Sequence, residues 1–258
     1  MSMTPEIKLP PWALRLGEAR AIAELYAYGW CYPLMHLAPR GDGHAVLVLP
    51  GFLASGTSTF PLRHILKRLG YKGHRWKLGR NMGPVQIDLN RIMDRLQELR
   101  ARYGQRVTII GWSLGGIYAR ELAWLAPDDV RMVITLGTPF RAHHATTAAW
   151  LYKSINAHDS DDVERTALAR AHQTPPVPCT SIYSRSDGIV PWRFSIESET
   201  HDSENIRVYG SHCGLGHNPA ALWAIFDRLA QPDGDWKPFD RSGIRGVTYP
   251  TPDHHVEP

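Results

Sequence analysis

"TIIGWSLGGIYAREL", residues 108–122, decides how this chain folds. It opens as a β-branched apolar run and continues as a helix-like run, two patterns with different periods. Between them lies Gly111-Trp112-Ser113-Leu114-Gly115, a G-x-S-x-G pattern. A corner this sharp forces its central residue into an unfavourable backbone conformation, so its neighbours must be small. What is gained is a hydroxyl at the C-terminal end of a strand. It stands beside a helix N-terminus whose free N–H groups favour developing negative charge. The five-residue pattern alone is weak, and a tight turn without chemistry is its plain alternative. The strand before it and the helix after it give it the context of a nucleophile elbow.

The same alternation extends along the chain. "HAVLVLPGF" (44–52), "GHRWKLG" (73–79), "RVTIIGW" (106–112), "VRMVITLG" (130–137), "VPCTSIY" (177–183) and "NIRVYGS" (205–211) have strand character. Helical patterns cover Phe60–Leu69, Ile87–Tyr103, Gly115–Ala126 and Pro219–Leu229. Apolar strands alternating with amphipathic helices predict an α/β fold, a mostly parallel sheet of about six strands with helices on both faces. An N-terminal helix, Trp12–Tyr28, is expected to pack through Leu16, Ala19, Ile22, Ala23 and Tyr26. Contact with a partner or a membrane surface is the alternative for that face. We expect one domain over 1–258, with an N-terminal helical segment (1–40), a lid-like insertion (141–178) and an irregular tail (231–258). Within the insertion, Ala148, Trp150, Leu151 and Ile155 form an apolar patch. Asp161 and Glu164 have capping-box spacing there.

Composition narrows the function classes. The chain has 258 residues, 43% of them hydrophobic, enough for a sizeable core. Lys+Arg number 29 and Asp+Glu 25, for a net charge of +4 with no block of like charge. Nucleic acid is therefore not expected as a partner. Cys31, Cys179 and Cys213 are far apart and have no metal-ligand spacing. A disulfide framework is not expected, and a reducing, cytoplasmic location fits better. Charged residues interrupt the N-terminus, and no stretch approaches the roughly 18 apolar residues of a membrane span.

A serine needs a base within reach. His212 follows the last strand-like run and precedes the last helix, where catalytic groups of open α/β sheets gather. His217, in the same loop, is its rival; His254 and His255 lie in the tail. Asp187, just beyond "VPCTSIY", can orient the base, with Asp202 and Glu197 as weaker alternatives. The order Ser113, Asp187, His212 is one of those in which serine triads occur. The N–H groups of Leu114 and Phe52 are the expected oxyanion donors. Phe52, Leu53, Trp112, Ile189, Val190 and Trp192 are the expected lining of an apolar substrate pocket, with core packing as the alternative for each. No metal or cofactor is required. "LGRNMGP" (78–84) lacks a phosphate-loop ending and is expected only to border the site.

Taken together, "GDGHAVLVLPGFLAS", "LGRNMGP", "GWSLGG", "LGTPF", "SDGIVP" and "GSHCGLGHNP" resemble the bacterial esterase/lipase branch of the α/β-hydrolase superfamily, from about Gly41 to Leu229. The resemblance implies a reduced α/β-hydrolase fold and hydrolysis of carboxylic esters. It favours His212 over His217, because "SHCGL" is similar to the catalytic-histidine loop of small bacterial lipases. The leading expectation is a serine ester hydrolase acting on a small-molecule or lipid ester through a covalent acyl-enzyme. An acyltransferase with the same triad and a non-catalytic binding homologue are the other two. Oligomeric state and the physiological ester stay open.

Overall fold

All six strand-like runs form strands, and the four inner ones are buried at every residue because both faces of the sheet are covered. The computed structural model describes residues 9–83, 89–142, 146–147 and 170–254. The strands are β1 (Ala45–Leu49), β2 (Lys72–Arg75), β3 (Val107–Trp112), β4 (Val130–Leu136), β5 (Cys179–Tyr183) and β6 (Ser203–Arg207). They form one sheet in the order β2-β1-β3-β4-β5-β6, and every neighbouring pair is parallel. The helices that position the site are α1 (Trp12–Leu16), α2 (Ala21–Met35), α3 (Phe60–Arg68), α4 (Leu89–Tyr103), α5 (Leu114–Leu125) and α6 (Pro219–Leu229).

The period of two along β1 sorts its side chains. Val46 and Val48 join a cluster with Leu62, Ile65 and Leu66 of α3 and Leu222, Ile225 and Phe226 of α6. Ala45, Leu47 and Leu49 face the other way, onto Ile92, Leu96 and Leu99 of α4 and Ile117 and Leu122 of α5. All of these are at most 2% exposed, and burying each Leu or Ile side chain contributes about 1.5–3 kcal/mol. A sheet covered on both faces explains why its inner strands β1, β3, β4 and β5 are buried at every residue rather than at alternate ones.

Strand order also fixes where a site can form. From β1 the chain steps to one side for β2 and then to the other for β3. The crevice beyond the carboxyl ends of β1 and β3 is therefore the topological switch point.

Two expectations are corrected or left outside. The N-terminal segment is helical, as α1, a 3-10 turn (Gly17–Arg20) and α2, but its expected packing stripe is the wrong face. Leu16, Ile22 and Tyr26 are 68%, 64% and 70% exposed, and Ala19 and Ala23 are exposed as well. Tyr28, Cys31, Tyr32 and Met35 carry the packing instead, while the polar Glu18, Arg20 and Glu24 reach the body. Most of 141–178, with its apolar patch and capping-box pair, lies outside the described residues. The tail is irregular up to a short helix α7 (Arg245–Thr248), and Phe239 and Tyr249 anchor it in the core. Among the described residues no helix is long and apolar enough to cross a membrane.

Candidate active site

Ser113 has φ 52° and ψ −122°, a left-handed conformation that a non-glycine residue adopts only where its surroundings enforce it. The enforcement is visible in its neighbours. A Cβ at Gly115 would lie 2.7 Å from the Pro50 carbonyl oxygen, and one at Gly111 would overlap the backbone of Gly116. The Ser113 N–H donates to the Leu136 carbonyl at 2.8 Å, tying the corner to the end of β4. Leu114, the first residue of α5, has an N–H without an intrahelical acceptor.

The loop after β1 closes against this corner. A Cβ on Gly51 would approach the Ser113 Cβ to 3.1 Å. Phe52 follows, then Leu53 at φ 62°. Asn81 holds this loop in shape, a role the sequence did not reveal beyond hydrogen bonding in "LGRNMGP". It is fully buried. Its side-chain amide donates to Pro50 O at 2.8 Å, its backbone N–H donates to Ala54 O at 2.8 Å, and its carbonyl accepts from Leu53 N–H at 2.6 Å.

Asp187 and His212 come from loops after β5 and β6. His212 Nδ1 and Asp187 Oδ2 are 2.6 Å apart, and both residues are buried. The other Asp187 oxygen accepts the N–H groups of Ile189 and Val190 at 2.8 and 2.7 Å, which aims the carboxylate. The Trp112 indole donates to His212 O at 3.1 Å, fastening the His212 loop to the strand that leads into Ser113. Gly137, in "LGTPF", has φ 54°, and a Cβ there would stand 3.0 Å from both Asp187 Oδ2 and His212 Nδ1. Glycine is required there for both reasons. Burial opposes a charged ring at His212, but the Asp187 carboxylate and the more distant Glu18 outweigh it, so its pKa is raised.

Ser113 and His212 line one cavity of about 340 Å³ with Gly51, Phe52, Leu53, Ala54, Ser58, Trp112, Leu114, Pro139, Thr146, Ile189 and Cys213. No direct hydrogen bond joins the Ser113 hydroxyl to the ring among the described residues; such contacts often tighten only when substrate binds. Val190 and Trp192, both expected in the pocket, do not line it. Val190 is fully buried behind Asp187. Trp192 stacks on Tyr183 at 6.1 Å and lies against Arg185 and Arg193. The alternative acids and bases are occupied elsewhere. Glu197 pairs with Arg120 in the interior, Asp202 accepts from Thr200, and His217 contacts Ala21 O.

The N-terminal segment holds the loops that carry Asp187 and His212. Glu18 accepts N–H groups from Gly188, His212 and Cys213. The Arg20 guanidinium donates to Ser186 O and Gly210 O, and Glu24 accepts from Ser211 N–H at 2.7 Å. No local pattern announces these contacts, because their partners lie on the order of two hundred residues away.

The comparisons agree with this architecture. A human protein, serine hydrolase BPHL, is 29% identical over 133 residues, which are 47% of this chain and 44% of that protein. The chain thus spans less than half of the curated relative it matches. Aspergillus fumigatus lipase B superposes with a TM-score of 0.62 over 80% of this chain and 56% of its own, at 20% identity. Bacillus licheniformis lipase BlEst2 does so at 0.52 over 75% and 94%, at 17% identity. At these identities the likeness is one of fold. Residues 27–175 match the family model of the alpha/beta hydrolase fold. That match covers more than half of the chain and runs through β1 to β4, the elbow included; the chain belongs to the alpha/beta hydrolase fold family.

Proposed function

We propose that the protein is a serine carboxylic ester hydrolase of the esterase/lipase kind. One observation carries this reading: a serine on a strained corner shares a cavity with a histidine whose far nitrogen lies 2.6 Å from a buried aspartate. In the proposed reaction the neutral His212 takes the Ser113 proton as the hydroxyl oxygen bonds to the ester carbonyl carbon. The N–H groups of Leu114 and Phe52 receive the resulting oxyanion. Collapse breaks the bond to the alcohol, which leaves with the proton from His212. Water then repeats the sequence on the acyl-serine, and the acid is released. Asp187 holds the ring in the tautomer that presents its free nitrogen to the cavity. Each oxyanion donor is worth about 3–4 kcal/mol of transition-state stabilisation.

The cavity supports an apolar acyl group. Phe52, Leu53, Ala54, Leu114 and Ile189 contribute hydrocarbon or ring surface, and a volume of about 340 Å³ suits a short or medium chain. The "SHCGL" loop around His212 supports the bacterial esterase/lipase branch. The three free thiols support a reducing compartment. Labelling by a fluorophosphonate tests the reading. Native protein should be labelled, Ser113→Ala should not, and p-nitrophenyl esters of four to eight carbons should be hydrolysed fastest. Native protein that neither labels nor hydrolyses any member of the series would refute it.

A further inference from the structure

The charged residue Glu18 sits in a short 3-10 turn between two helices whose apolar side chains point to solvent. Its carboxylate is turned the other way. One oxygen accepts Gly188 N–H at 2.7 Å and His212 N–H at 2.9 Å; the other accepts Cys213 N–H at 2.8 Å. These donors belong to two different loops. Gly188 directly follows the proposed acid, and His212 is the proposed base. The side chains of Asp187 and His212 meet at 2.6 Å on the cavity side. Glu18 therefore closes a second bridge between the same two loops, through backbone rather than side chain.

We infer that Glu18 is a positioning residue that locks the acid loop to the base loop and places a fixed negative charge behind the His212 imidazole. The inference rests on reading Ser113, Asp187 and His212 as the catalytic groups. Its chemistry follows from the contacts. A carboxylate receiving three N–H groups is held ionised: partial burial opposes the charge, but the Cys213, His212 and Gly188 amides outweigh it and the pKa is lowered. That charge favours the imidazolium that forms when Ser113 attacks. The groups facing the ring or its loop are Asp187, Glu18 and Glu24, the Arg20 guanidinium on the loop carbonyls, the Cys213 thiol and the Ser113 hydroxyl. Burial and then Glu18 push the Cys213 thiol up to about 12, so it stays neutral at working pH. Attachment is shared with other residues: Leu14 O lies under Gly188, and Arg20 and Glu24 grip the same loops. Loss of Glu18 alone should therefore alter the site more than it detaches the segment.

The test combines kinetics on p-nitrophenyl butyrate with NMR titration of the His212 ring in protein labelled at histidine nitrogen. In Glu18→Gln we expect the ring midpoint and the acid limb of kcat/KM to move to lower pH by about half a unit to one unit. The value of kcat should fall about tenfold, with KM within about twofold. Glu18→Asp keeps the charge but draws the acceptors back, so its ring midpoint should stay near native while kcat falls. Native kcat and a native ring midpoint in Glu18→Gln, with only thermal stability changed, would overturn the inference. Should Glu18→Gln fail to fold by circular dichroism, an unaltered kcat in Glu18→Asp would overturn it equally. If native protein neither hydrolyses esters nor reacts with a fluorophosphonate, yet the ring midpoint moves in Glu18→Gln, the ester-hydrolase reading fails and the coupling stands.

Discussion

The corner at Ser113 and the pair Asp187–His212 are built in opposite ways. At the corner, a few consecutive residues do the work: small glycines at 111 and 115, a strand behind and a helix ahead hold Ser113 at φ 52°. At the pair, nothing local suffices. Two loops beyond β5 and β6 are aligned by Gly137 from β4, by Trp112 from β3, and by Glu18, Arg20 and Glu24 from the N-terminal segment. Ser113 is set by backbone sterics, and the Asp187–His212 pair by long-range hydrogen bonds. The two should therefore fail independently.

The largest separation is expected from Ser113→Ala. It should lower kcat/KM on p-nitrophenyl butyrate by about 10⁴–10⁶ while thermal unfolding stays near native; retained hydrolysis would remove the serine from the mechanism. Acid should act next, and through the pair alone. The His212 pKa is raised and the proposed reaction needs the neutral ring. Activity should thus be full above that pKa and fall about tenfold per unit below it, with a midpoint above the ordinary value near 6.5. A profile flat between about pH 5 and 8 would contradict the assignment of His212.

Gly137→Ala should come third. Its methyl group must push into Asp187 Oδ2 and His212 Nδ1, each 3.0 Å away, so kcat should fall about ten- to a hundredfold. Fluorophosphonate should still label Ser113, more slowly; a native rate would show that the pair tolerates displacement. Arg20→Ala withdraws two hydrogen bonds from the loop carbonyls at Ser186 and Gly210. We expect about a three- to tenfold loss in kcat, read by steady-state kinetics, with KM little changed. The smallest effect belongs to the outer face of the same segment. Trp30 is 85% exposed, so Trp30→Ser should leave unfolding within about 0.5 kcal/mol of native. A larger loss in chemical denaturation would mean that this face is buried in solution.

Local chemistry made much of the fold legible. Six strand-like runs became six strands, and within the helical pattern Phe60–Leu69 the residues Leu62, Ile65 and Leu66 became the buried face of α3. Both edge strands end four residues before their runs do, β2 at Arg75 and β6 at Arg207, because an edge strand ends where its single neighbour stops pairing. The site was legible where one segment carries its own constraint, as at Gly111–Gly115. It was less legible in the pocket: both Ile189 and Val190 donate their N–H groups to Asp187, but only Ile189 faces the cavity while Val190 is fully buried. The N-terminal face was misread because periodicity reports that a stripe is apolar and not what it meets.

Order and spacing along the chain by themselves determined the parallel sheet, the corner at Ser113 and the carboxyl-end loops that carry Asp187 and His212. Those features depend on steric and hydrophobic rules that act over a few residues at a time. Only the tertiary structure decided that Glu18, Arg20 and Glu24 face the loops of Asp187 and His212, that Asn81 braces the turn after β1, and that Gly137 must lack a side chain. A hydrogen bond between residues nearly two hundred positions apart leaves no periodic trace in either segment, so it exists as information only once the chain has folded.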